Sequence, residues 1–452
     1  MSEPSAKSET RCPTPWSRRE FVTALSQSAA AAGLFAGHLP VLARAAAAPS
    51  RRKKIAILAT EVRKYSHAQH FVDRFLEGYG WQGVHHHPEV DLVALYVDQS
   101  PEGDLSRDRE RRHGVKIFPT VQEALTMGGS KLAVDGVVII GEHGKYPRNA
   151  KGQVLYPRYK FFKETVKVFE SSGRSVPIFN DKHLSTDWKE SLEMVEDAKR
   201  LGFAFMAGSS LPVTWRIPSI ELPIHTPIEQ SVCVCYGGID SYDFHGLETA
   251  QCMSERRAGG EVGVRSVHAV KGDKVWEMLA DRDKTKKLLL AALSRSHTLR
   301  PPPGYTYAIP SVDWMRSASP DTVAYFIEHI DGFKTTLFLL NGRMQDAQRN
   351  YSALDFTYAG LVKKTGQTIS CQMHLPMPPR QTTLADFFNP LTHHIEETIL
   401  TGVAPYPIER TLLTTGMTLC AVESLYRGQV EVATPELNVA YKVPNRSTFW
   451  RA

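Results

Sequence analysis

The sequence predicts an α/β chain in which a doubly wound parallel sheet is followed by an α+β region built on an open, mainly antiparallel sheet. Three observations predict this. Short, nearly uninterrupted apolar runs such as Val137-Val138-Ile139-Ile140 alternate with helical stretches from Lys54 onward, and after Arg216 the strands become longer and polar-alternating. A run without a polar face belongs to a strand covered on both sides, as in a parallel sheet, whereas alternation marks one covered face.

In order, the first region reads as strand 54–60, helix 66–77, strand 91–98, helix near 105–113, strand 116–118, helix 120–127 and strand 136–140. Helix 159–171, strand 176–179, helix 186–201 and strand 204–207 continue it. In the second region strands are predicted at 231–236, 263–271, 335–340 and 368–374. Two helices close the chain: one from Pro390 stops at Gly402, the other starts at Pro407 and ends before Gly428, which is ordinary helix punctuation.

Residues 1–45 stand apart from this pattern. Ser17-Arg18-Arg19-Glu20-Phe21-Val22, a weakly apolar Ala-rich stretch and Ala43-Arg44-Ala45 together read as a twin-arginine export signal with a small-x-small cleavage site. Ser26, Gln27, Ser28, His38 and Pro40 interrupt the stretch, so it does not suit a membrane span of roughly 20 apolar residues. The expected destination is the periplasm or the exterior. Residues 46–52 form a linker, and the predicted domains are 53–216 and 217–452.

Losing residues 1–45 removes five basic and three acidic residues, so the formal charge falls from +6 to +4. Spread over some 400 residues, with no interleaved aromatic and basic stripe, this excludes nucleic acid as an expected partner. Five of the six cysteines lie after the signal, an odd number, which requires at least one free thiol. Cys233 and Cys235, two apart in a strand, point to the same face and read as buried thiols.

The loop after the first strand, Thr60-Glu61-Val62-Arg63-Lys64-Tyr65, carries no glycine. In a dinucleotide-binding sheet that loop needs a Cβ-free backbone to bring a pyrophosphate to the helix amides. Asp98, at the end of the second long strand, sits where a carboxylate accepts from adenosine ribose hydroxyls. Two readings stay open: helix amides from Ser66 onward with Arg63 or Lys64 hold the phosphates, or the segment Thr60 to His67 fills their place.

At Val176-Pro177-Ile178-Phe179-Asn180-Asp181-Lys182-His183-Leu184 the chain resembles the Gfo/Idh/MocA family of oxidoreductases. The order of pieces is similar along residues 53–440: the Asp181-Lys182-His183 motif, a helix ending Ala198-Lys199-Arg200-Leu201-Gly202, a strand leading to Trp215-Arg216, and a closing segment Ile399 to Glu409 with Ser424 and Gly428. The resemblance implies a Rossmann-like nucleotide domain and a second domain whose sheet lies against the nicotinamide. It implies NAD or NADP, which export favours as tightly held, with Thr60, Ser66, His67, Asp98, Glu142, His143 and Lys182 at the cofactor. Lys182 would lie near the reacting carbon. The family's Asp-x-x-x-His-x-x-acid element is matched in part by His245 and Glu248; the position four before His245 is Ser241, so Asp240 or Asp243 would stand in for the missing carboxylate.

On this reading Lys182 and His245, with Asp240 and Asp243, form the catalytic group, and Arg216 and Glu248 bind substrate. An ammonium stabilises a developing alkoxide, and imidazole exchanges protons near neutrality. Lys145 to Pro157 looks inserted relative to the family. The implied activity is hydride transfer on a sugar, sugar derivative or cyclic polyol, in a homo-oligomer associating through the second sheet. The alternatives are a carbohydrate-binding protein without nucleotide, and a metal-dependent hydrolase or lyase. No metal site is assigned: His393, His394, Glu396 and Glu397 form two His-x-x-Glu pairs lacking a third ligand, His67 and His70 are ordinary helix-face residues, and His85-His86-His87 reads as a solvated linker.

Overall fold

The computed structural model describes residues 51–299, 311–341, 355–375 and 385–451. The predicted export signal lies outside them. From Arg52 onward the chain forms one compact unit.

Six parallel strands form the first sheet, in the spatial order Lys116–Phe118, Val90–Val97, Lys53–Ala59, Gly136–Ile140, Ile178–Asp181 and Phe205–Gly208. Their apolar runs are covered on both faces, as expected. Ala56, Leu58, Val137 and Ile139 face Phe161 and Phe162 of helix Arg158–Ser172, while Ile55, Ile57, Val138 and Ile140 face Phe71 of helix His67–Glu77 and Leu391 and Ile395 of helix Phe388–Thr401. The last helix is a late part of the sequence serving the first sheet. Lys53 Nζ clamps its C-terminal carbonyls, reaching Ile399 O at 2.8 Å and Leu400 O at 3.0 Å.

The second sheet has eight strands, ordered Val432–Ala433, Val264–Lys271, Val323–His329, Lys334–Leu339, Ile228–Cys235, Phe356–Val362, Thr368–His374 and Trp215–Ile217. It is antiparallel except between Ile228–Cys235 and Lys334–Leu339. One face packs on helices Tyr242–Ser254 and Glu409–Tyr426 through Cys233, Cys235, Leu247, Leu413 and Met417. All five described cysteines are free and buried.

The sequence predicts only four of the second sheet's eight strands, missing Trp215–Ile217, Val323–His329, Phe356–Val362 and Val432–Ala433, and two further features differ from expectation. Polar alternation predicted a bare second face, yet helices Asp273–Leu279 and Asp283–Leu293 cover much of it with Val275, Leu288 and Leu289 against Val232, Val234 and Phe338. Also, the histidine run does not lie in a linker. It ends a two-stranded hairpin, Tyr79–Trp81 paired with Val84–His86, whose turn residues Gln82 and Gly83 both have positive φ. Strand alternation leaves His85 and His87 exposed and turns His86 inward. No helix among the described residues is long and apolar enough to cross a membrane.

Candidate active site

Ligands in such sheets bind beyond the C-terminal ends of the parallel strands, and several of the predicted residues meet there. Strand Ile178–Asp181 delivers Lys182 in a left-handed conformation (φ 70°), its N–H donating to Gly208 O at 3.0 Å. Gly208 has no room for a side chain: a Cβ would lie 2.6 Å from Glu248 Oε2. The Lys182 side chain is buried, with Nζ 3.8 Å from Glu142 Oε1. Glu142 Oε2 accepts from Arg158 Nη2 at 2.9 Å, and Arg158 Nη1 donates to His183 Nε2 at 2.9 Å. Burial alone would raise the Glu142 carboxyl, but Lys182 and Arg158 outweigh it and hold the group well below the usual carboxylate range. Burial and Arg158 keep His183 neutral.

A cleft of about 380 Å³ opens beside this network, lined among others by His67, Glu142, His143, Lys182, Tyr242, His245 and Phe388. His67 Nδ1 pairs with Asp181 Oδ2 at 2.7 Å, and the rings of His143 and Phe388 stand edge-on to it at 5.4 and 5.1 Å. His143 is half-buried, with Nε2 itself buried and unpartnered; desolvation, then His67, lowers its pKa to about 3.

Across the cleft, helix Tyr242–Ser254 presents His245 from the second sheet's side. His245 Nδ1 bonds Ser209 Oγ at 2.5 Å, which leaves Nε2 for the cleft. Burial, followed by Lys182 and His67, holds its pKa well below the usual value, so the ring is neutral across the neutral range. Asp243 lies behind, fully buried: it accepts from the N–H groups of Asp240, Ser241 and Phe244 at 3.0, 2.8 and 2.8 Å and from Tyr325 Oη at 2.8 Å. These bonds fix the helix start. Asp240 takes a 2.9 Å bond from Gln153 Nε2 and lies 3.6 Å from His183 Nε2, and burial raises it to about 7.

Glu248, one helical turn beyond His245, is buried one layer below the cleft. Thr414 Oγ1 donates to it at 2.6 Å and Ser209 N at 3.4 Å, and burial raises it to about 7. The chain Glu248, Ser209, His245 thus orients the imidazole. Arg216 is not at the cleft: it pairs with Glu221 at 2.9 Å and packs 4.1 Å over Phe449.

The predicted cofactor loop is turned inward. Thr60, Glu61 and Val62 are buried; Thr60 Oγ1 donates to Glu142 O at 2.6 Å, Arg63 Nε to Glu61 Oε1 at 2.5 Å, and Leu105 N to Val62 O at 2.7 Å. Ser66 caps its helix by accepting from Gln69 N at 3.2 Å. Both Asp98 oxygens are engaged, by Tyr96 Oη at 2.6 Å and Tyr146 Oη at 2.7 Å. Tyr146 comes from the segment that reads as an insertion.

Sequence reasoning passed over Arg158, Ser209, Tyr242 and the partner role of Asp181. Ser209 has a local signal, a small polar residue just past a strand that ends in Gly208. Arg158 has none, because its partners Glu142 and His183 come from two separate segments.

No protein-family model matches the sequence, and no curated protein matches it. Solved structures do. Myo-inositol dehydrogenase from Lactobacillus casei, in complex with NAD(H) and myo-inositol, matches at TM-score 0.52 and 10% identity, over 87% of this chain and 99% of its own. GenD2 from gentamicin A biosynthesis, in complex with NAD, matches at TM-score 0.51 and 10% identity, over 88% and 99%. The order of strands and helices, and these two superpositions, show that the chain has the two-sheet fold of the Gfo/Idh/MocA oxidoreductases.

Proposed function

We propose that this protein is an exported oxidoreductase acting on a sugar, sugar derivative or cyclic polyol with tightly held NAD. The observation that carries this reading is the meeting of Lys182 and His245, from the two sheet regions, across one cleft. Both solved relatives above hold NAD, and the inositol dehydrogenase also holds its polyol. The residues at the nicotinamide end fit the cofactor: His143 Nε2 is an orphaned buried atom facing no protein partner, and His67 and Lys182 line the same space. At the adenosine end Asp98 would serve the ribose once Tyr146 releases it.

The chemistry that a bound nucleotide would supply here is a hydride acceptor for the substrate carbon. The chain's own residues handle the oxygen and its proton. Neutral His245 takes the hydroxyl proton at Nε2, while Ser209 holds Nδ1 and so fixes the ring's orientation. Lys182 donates a hydrogen bond to the same oxygen as it gains charge, and Glu142 keeps that ammonium in place. The twin-arginine signal suits this reading because that route carries folded proteins, with cofactor aboard. Changing Arg18 and Arg19 to lysine should stop export, read by cell fractionation. Association through the second sheet belongs to the same proposal, and a monomer by sedimentation equilibrium would remove it.

A carbohydrate-binding protein without nucleotide is the second reading, favoured by the Asp98–Tyr146 and Val62–Leu105 contacts. Denaturing the purified protein and searching the supernatant for NAD(H) and NADP(H) by mass spectrometry separates them. About one equivalent supports the oxidoreductase. An empty protein that also fails to bind added nucleotide overturns it.

A further inference from the structure

Three donors from two distant parts of the sequence converge at the middle of helix Phe388–Thr401, away from the cleft. His86 comes from the hairpin, and His393 and Glu396 come from one face of the helix at i, i+3 spacing. Their ligand atoms lie within 4.8 Å of one another. The third ligand that the His-x-x-Glu pair lacks in sequence is thus supplied by the inward-facing member of the histidine run.

From this geometry we propose that His86, His393 and Glu396 bind a divalent transition-metal ion of the zinc class. The donor set, two imidazoles and a carboxylate, is one that zinc accepts with a further position left for water. His86 Nε2 and Glu396 Oε2 already stand 2.8 Å apart, sharing a proton that an ion replaces. Nδ1 of His393 is buried without a hydrogen-bond partner. Outer contacts hold the ligands in place: Glu89 N donates to Glu396 Oε1 at 2.6 Å, Tyr79 Oη to Glu396 Oε2 at 3.2 Å, and Trp81 stacks on His393 at 4.1 Å. Zinc bonds of roughly 2.0–2.2 Å put the donors a little over 3 Å apart, so closure asks for roughly 1 Å of side-chain movement.

The ion has a structural consequence. It staples the hairpin to a helix whose first residue, Phe388, lines the cleft about 8–12 Å along the axis. It performs no chemistry there.

The test uses the whole mature chain without an affinity histidine tag. Cobalt and zinc are titrated in separately, with metal content, the visible cobalt spectrum and Tm as readouts. The expected result is one equivalent bound and a raised Tm. Binding should be lost in H86N and E396Q, weakened about tenfold in Y79F, and unchanged in H87N. Should the ligand variants not fold, protection of His86 and His393 from diethyl pyrocarbonate by zinc, mapped by peptide mass spectrometry, locates the ion in the unaltered chain. No binding to the unaltered chain, undiminished binding in H86N and E396Q, or protection elsewhere would overturn the proposal.

Discussion

Along the C-terminal edge of the parallel sheet, the end near Lys182 and the end near Asp98 treat their polar groups differently. Near Lys182, His143 Nε2 has no partner and His245 turns one nitrogen to the cleft. Near Asp98, both carboxylate oxygens take tyrosine hydroxyls, Glu61 takes Arg63, and Val62 takes Leu105. A polar group left open in a cleft awaits a ligand, whereas one already paired must be released first, at a cost in affinity. On the proposed function, the contrast makes the Lys182 end ready and the Asp98 end closed.

The strongest way to break the comparison is at the ready end. Replacing Lys182 by Met should lower kcat/KM about 10³-fold, or about 4 kcal/mol of transition-state stabilisation, with Tm little changed; activity within tenfold of the parent would remove Lys182 from the chemistry. Ser209→Ala should cost about tenfold in kcat and move the acid limb of the pH profile, since it acts by orienting His245; a change in KM alone would count against that role.

Arg216 sharpens the same comparison by lying at neither end. Arg216→Met removes the 2.9 Å partner of Glu221 and leaves it Arg256 at 3.7 Å and the Ser447 hydroxyl, so stability should fall by about 2 kcal/mol in denaturant melts while KM stays put. A raised KM without lost stability would return Arg216 to the substrate.

Glu248 gives a pH test. Burial raises its folded pKa to about 7 from an ordinary 4.5, so the folded state binds the extra proton between those values and stability falls as pH rises through that window. Asp240, also near 7, contributes in the same direction. Glu248→Gln should flatten the fall by about 2–3 kcal/mol, measured by urea unfolding at pH 5 and pH 8; an unchanged slope would show Glu248 ionised throughout.

The smallest effect belongs to the closed end. Tyr146→Phe frees one Asp98 oxygen and should tighten NAD binding about tenfold by calorimetry. Unchanged affinity would mean that Tyr146 does not compete with the nucleotide.

Much of the architecture was legible locally. Runs such as Val137 to Ile140 must be covered on both faces because they offer no polar one, and the observed strand meets that demand. Legibility failed where a residue's role depends on partners far along the chain. Polar alternation in the second sheet promised a bare face, but helix Asp283–Leu293 covers it, its Leu288 and Leu289 seated on Val232 and Val234. His86 looked solvated because its partners lie some 310 residues away.

By itself the sequence determined the period of the strands and helices of the first sheet, the Lys182 motif and the His245-x-x-Glu248 spacing, since all are set by neighbours within a few residues. Only the tertiary structure decided that Asp98 is held by Tyr146, that Arg216 sits away from the cleft, that Ser209 joins Glu248 to His245, and that His86 meets His393 and Glu396. Those are contacts between segments, and a local pattern carries no information about which distant segment folds against it.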